Sequence, residues 1–345
     1  MKKALTALAT IAILAAPAAL AQGKTYNVSS FSEIKVEGAM YVVHKTGNST
    51  SVRVEADNGD YSDASIETDG DTLRISRESL NSKKSWFSGG RSVNISKDGK
   101  TIKVNGKKVP VYTVYVTSPD LVAVKASQSS RFESQSIDAD GFEANASSSA
   151  DILLAGKAGA ASLGASSSGD VKAKDLKAAS AKISASSSGE VEATVTGAGK
   201  TNVSASSSGD VKLHSTGAGS FTVSASSGAS VDMSGACNSI SVAASSGADV
   251  EADELRCVTA TANASSGADV DLFASGSASG NASSGGDISF RGNPTATEVS
   301  KSSGGSVKFG SCPASLSRSQ RTRARSPGLS NSGPSLPARR ARCGQ

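Results

Sequence analysis

"ASSSGDVKAKDL", residues Ala165 to Leu176, decides the fold. Serine and glycine at this density usually mark a flexible linker. Close copies stand at Ala185 ("ASSSGEVEAT") and Ala205 ("ASSSGDVKLH"), and each keeps an acid and a valine at the same offset. A linker has no reason to hold such a register.

With the alanine as position zero, copies start at Ala146, Ala165, Ala185, Ala205, Ala225, Ala244, Ala264, Ala282 and a degenerate Lys301, spaced 18 to 20 residues apart. A weaker copy, "ASQSSRFE", starts at Ala126. Position six is Ile or Val in every copy from Ile152 through Val171 and Val211 to Val307, and position eight is always apolar. The residue between them is polar in eight of the nine, so each copy reads as a short strand with one buried face. A second strand precedes each start, with Leu163, Ile183, Val203, Val223 and Val242 two residues upstream. One unit cannot bury both strands alone. Stacking buries each inner face against the next, with strands about 4.8 Å apart. The sequence therefore predicts an all-β chain built as a parallel β-solenoid (β-helix) of 19–20-residue coils. Aromatic content of only 4% makes its core narrow.

Positions one and two are serine in all nine copies, which suits a corner ladder of hydrogen bonds. Position five carries Asp151, Asp170, Glu190 and Asp210 in succession. Stacked carboxylates repel, so they need solvent, outward lysines such as Lys172 and Lys212, or a cation. Asp170, Glu190 and Asp210 are thus weak calcium candidates, with no other metal site expected; the solvated ladder is the favoured reading, because the repeat departs from the nine-residue calcium solenoid. Cys237 and Cys257 each lie seven residues before a start, so they share a register on adjacent coils. That places them near the Cα window of a disulfide, which is predicted here.

The opening "MKKALTALATIAILAAPAALAQ" reads as a signal peptide over 1–21, with the mature chain from Gln22. Its apolar run is too short for a span, so the expected product is not an integral membrane protein but one exported to the periplasm or cell surface of a bacterium. Residues 311–345 form a basic tail, expected to be disordered, and a reading-frame change past about Gly310 would account for its abrupt composition. The formal net charge of +5 misleads, because seven tail arginines and two leader lysines leave the body between them at −4. Nucleic-acid binding therefore has no broad electrostatic support.

Residues 22–120 read as a strand-rich N-terminal β segment that does not follow the repeat, and 121–310 as the solenoid. The segment holds a basic insertion, 83–108, with eight Lys or Arg and one acid. Lys83, Lys84, Trp86 and Arg91 are its candidate contacts for an anionic glycan or envelope polymer. A solvated hairpin pinned by one aromatic is the plainer reading.

"FSEIKVEGAMYVVHKTGNSTSVRVEA", "IETDGDTLRIS" and "VYTVYVTSPDLVAVKASQSSRFE", followed by the "SSSGDV" coils, resemble the head GIN domain family, the auto-transporter adhesin head domains. The resemblance implies an exported, solenoid-like all-β domain with an adhesive role and no catalytic residues. His44 and His214 are the two histidines; each is polar-flanked and expected at the surface. No zinc spacing, nucleophile elbow or phosphate loop is present, so no cofactor is expected. The expected function is a non-enzymatic, ligand-binding envelope module. The alternatives are a structural or stress-related periplasmic protein and a polysaccharide-active β-helix enzyme.

Overall fold

The computed structural model describes residues 23–81, 93–96, 101–104 and 106–310. The leader, the tail from 311, and Lys83, Lys84, Trp86 and Arg91 lie outside the described residues.

The repeats stack as parallel coils in the register that the sequence sets. Val171 lies opposite Val191, and Val191 opposite Val211. On the other face Ile183 meets Val203, and Val203 meets Val223. All of these side chains are buried. Burying one valine is worth roughly 1.5–3 kcal/mol, and in a single coil half that contact would be missing.

At each corner the serines do an unexpected job. Ser167 and Ser168 both have left-handed backbone, with φ of 51° and 60°. The turn closes where the Gly169 N–H donates to the Ser166 carbonyl at 2.9 Å. The coil-to-coil ladder is there, but backbone groups make it: the Ser168 N–H donates to the Ser187 carbonyl at 3.1 Å, and Ser188 repeats this to Ser207 at 3.2 Å. The side chains of Ser167 and Ser168 are exposed. Serine is therefore selected for tolerating a left-handed backbone that β-branched residues reject. Glycine replaces it at the second left-handed position from Gly228 onward, where the same geometry recurs.

The stretch that breaks the sequence repeat also coils. "VEGAMYV", 36–42, is a corner of the same kind, with Gly38 and Ala39 left-handed at φ 85° and 55°. Glu33–Val36 pairs parallel with Ala123–Ala126, and Tyr41–Thr46 with 131–134 of Arg131–Ala146. On its other side this first coil pairs parallel with Thr72–Arg77 and Tyr112–Ser118. The first coil is thus clamped between two made later in the chain. Antiparallel strands Ala64–Asp69 and Ser51–Ala56 then cover the end of the stack.

The outermost coil, instead of turning its corner, releases the chain into the basic insertion. Three short insertion strands, Val93–Ile95, Ile102–Val104 and Lys107–Val109, pair antiparallel. Ile102 and Val104 pack with Ala39 of the neighbouring corner. Arg77, wholly buried, ties this region together. Its guanidinium donates to the Gly38 carbonyl at 2.5 Å, to Asp63 at 2.9 Å and to the Pro110 carbonyl at 2.8 Å. It also lies over the Tyr112 ring at 4.8 Å. Burial pushes the Tyr112 phenol up to about 12, and its hydroxyl donates to the Asp60 carbonyl.

Two stability measurements check this account. Arg77→Met leaves Asp63 without its buried partner and should cost about 3–5 kcal/mol in chemical denaturation, as for other broken buried pairs. Ser207, left-handed at φ 50°, should accept glycine with unchanged or higher stability. Ser207→Val should lose about 1–2 kcal/mol; equal melting temperatures for the two variants would contradict the corner argument.

Candidate functional site

Three groups of side chains compete for a functional role: the stacked acids, a buried histidine cluster, and an outer face bearing two depressions. The acids stand in register, Asp151 opposite Asp170, Asp170 opposite Glu190, and Glu190 opposite Asp210. Two of these acids have lysine partners, one two residues on and one from the neighbouring coil. Lys172 lies 3.8 Å from Asp170, and Lys212 binds Glu190 directly and reaches Glu192 at 4.0 Å. Burial raises the Asp170 pKa, with Asp151, Glu190 and Glu192 adding to the rise and Lys172 opposing it. Among the described residues, no group of three or more His, Cys, Asp or Glu side chains could hold a metal ion. Among the described residues, Asp170 and Glu190 are ion-paired members of the ladder. On a further pair of coils Cys237 lies opposite Cys257 and is bonded to it, with a Cα–Cα distance of 4.5 Å.

His44 departs from the sequence reading, which places it at the surface. It is only 3% exposed. Lys45, the polar neighbour that suggested exposure, faces outward on the same strand, while His44 points inward with Val42. Its Nδ1 lies 2.9 Å from the Ser134 hydroxyl and its Nε2 3.0 Å from that of Ser118. The Ser118 hydroxyl donates to the Asp120 carbonyl, so His44 donates from Nε2 and accepts at Nδ1. Phe132 stacks alongside at 6.2 Å. A serine beside a histidine resembles a nucleophile and its base, but Ser118 and Ser134 are no more than 1% exposed, so no substrate reaches them. Burial also lowers the His44 pKa to about 4, which leaves it neutral and structural. His214 is exposed, as expected, with Nδ1 3.0 Å from the Ser234 hydroxyl.

The outer face just before the serine corners is the remaining candidate. Residues at even offsets upstream of each start fill the core, so those at odd offsets face outward. Over the later coils these are Ser204, Ser224, Ala243, Asn263 and Asn281, all small or neutral and polar. With the first serine of each corner they line a trough of about 450 Å³. Over the earlier coils the same face has a second depression of about 440 Å³, bordered by Val122, Glu143, Ser162, Lys182, Lys200 and Asn202. Asn202 borders this groove and Ser204 the trough, two residues apart on strand Lys200–Ser206, so the two depressions abut. No repeat count from the start residues singles out Lys182 or Lys200. The available signal was that Lys182 and Asn202 are 20 residues apart.

The histidine cluster makes stability depend on acidity. His44 stays neutral in the fold down to about pH 4, whereas a free histidine takes up a proton near 6.5. Between these values the unfolded chain binds the extra proton, so this contribution is complete above pH 6.5 and lost as pH falls toward 4. The loss can reach about 3 kcal/mol. The melting temperature of the natural chain should therefore fall more steeply over this window than that of His44→Gln. Parallel curves would show that His44 does not titrate this way.

The family model described as "Putative auto-transporter adhesin, head GIN domain" matches residues 30–212 and 196–294. No curated protein matches the chain. Among solved structures, a putative adhesin from Parabacteroides merdae is 14% identical, with a TM-score of 0.44. A putative adhesin from Parabacteroides distasonis is 17% identical at 0.42, and a putative lipid binding protein from that organism 16% identical at 0.38. Each alignment covers 84% of this chain and 96% of the other.

Proposed function

The chain belongs to the head GIN domain family, and from that premise we propose that it is an exported, non-enzymatic adhesive module that binds an extended ligand along the outer face of its solenoid. The observation that carries this reading is the pair of abutting depressions on one face. A rigid row of hydroxyls and amides at a spacing of about 4.8 Å suits a repeating polymer of hydroxylated units better than a compact small molecule. The cystine at Cys237 and Cys257 fits an oxidising compartment outside the cytoplasm. The unit boundaries proposed with this reading are a leader over 1–21, an N-terminal β segment over 22–120, the solenoid over 121–310 and a separate basic tail over 311–345.

A glycan array tests the reading on the mature chain, with and without residues 311–345. Binding by both forms is expected. Binding lost with the tail would move the activity off the solenoid, and binding to no glycan would favour a purely structural envelope protein.

A further inference from the structure

Lysines on this solenoid fall into two sets. Lys35, Lys125, Lys172 and Lys212 each lie within 4.0 Å of a carboxylate. Among the described residues, Lys157, Lys177, Lys182 and Lys200 have no such partner and are exposed, as are Lys45, Lys174, Lys301 and Lys308. Register sorts the first four into two separate pairs. Lys157 lies directly opposite Lys177, and Lys182 directly opposite Asn202, two residues from Lys200 on the same strand. Lys182 and Lys200, the two that border the groove, thus stand one coil apart and offset by two residues, without carboxylate partners, and like charges so placed favour an anion from outside.

We propose that the groove bordered by Lys182 and Lys200 binds the carboxylate or sulfate groups of an anionic polysaccharide, a proposal that rests on the adhesive reading and names its ligand class. Lys182 and Lys200 supply the charge. Ser162, Ser180 and Asn202 supply hydrogen-bonding groups for the sugar hydroxyls. Gly141, Ala160 and Ala181 keep the floor low, so that a ring can approach the sheet. Glu143 also borders the groove, but Lys125 at 3.9 Å and Asn145 at 2.6 Å already occupy it. The uncharged trough beyond Asn202 continues the path with serine and asparagine, as a polymer longer than one charged unit needs. An anionic membrane surface is the competing partner. Membrane docking calls for apolar side chains to enter the interface, and of the large exposed apolar residues among the described residues only Val122 borders the groove.

The test compares the full mature chain with its Lys182→Gln/Lys200→Gln variant for binding to polygalacturonate, to an uncharged galactan and to anionic phospholipid vesicles. Both lysines are exposed, so the variant should melt with the natural chain. Polygalacturonate should bind more tightly than galactan, weaken as salt rises, and lose about tenfold in affinity in the variant, the sum of two surface charge contacts. Lys172→Gln, which changes a lysine already paired with Asp170, should bind as the natural chain does. Carbodiimide coupling of the polymer's carboxylates to lysine amines, mapped by mass spectrometry, should label Lys182 and Lys200. Unchanged affinity in the double variant, or conjugates confined to Lys83 and Lys84, would overturn this site while leaving the adhesive reading in place. Binding to vesicles and not to the polymer would overturn it in favour of a membrane partner. Binding to no glycan at all would remove the adhesive reading together with the site.

Discussion

The stack depends on one contact, the backbone hydrogen bond that crosses from each left-handed corner to the next. Two consecutive residues with positive φ reverse the chain direction in a small space. They also aim the N–H of the second at the carbonyl of the first in the following coil. Each corner therefore templates its neighbour. The buried valines supply most of the free energy, but they do not fix the register alone, because a stack of alternating Val and Ala would tolerate a slip of two residues. The corners forbid that slip, since among the described residues only Ser, Gly, Gln, Ala or Asn stands at the left-handed positions from 38 to 304.

A templating corner explains how the chain can depart from its own repeat and remain one stack. The first coil is built from residues 33–46, yet its neighbours begin at 72 and 123. Nothing about a hydrogen-bond ladder requires chain order, only a corner of the right shape. "GAM" at 38–40 provides one, with Met40 buried where later coils place a small residue. Interleaving also shields an end. The strands that cover it run antiparallel, and the outermost corner opens into the insertion at Arg77, whose buried guanidinium satisfies carbonyls that a regular corner would have paired.

The solenoid was legible in the sequence because each coil is contiguous and nearly constant in length, so counting from Ala165 finds Val171 and Ile183 without any structure. Coil 33–46 was not, because its partner strands lie 39 and 90 residues away with irregular sequence between. His44 was misread for a related reason. Its burial is set by Ser118 and Ser134, which reach it only through those long-range pairings. The acid ladder was legible as a ladder, and Lys172 follows Asp170 by two residues, whereas Lys212 meets Glu190 only across neighbouring coils. The groove was not, because whether a lysine is paired depends on which neighbours the coil's second and third turns bring beside it.

That last distinction bears on how such a protein can gain function without losing its fold. Inward positions and corners are constrained in every coil, while outward positions answer only to solubility and to their two neighbours in the stack. A charge placed outward is neutralised when an opposite charge stands two residues away, as Lys172 does for Asp170. It remains available when its register partner is neutral, as Asn202 is for Lys182. Binding character can therefore be written along one face by choosing register partners, coil by coil, without disturbing the core beneath. The passage from lysines to serines and asparagines across strand Lys200–Ser206 is such a change of character, made while Thr201, Val203 and Ala205 keep the buried pattern of the coils on either side.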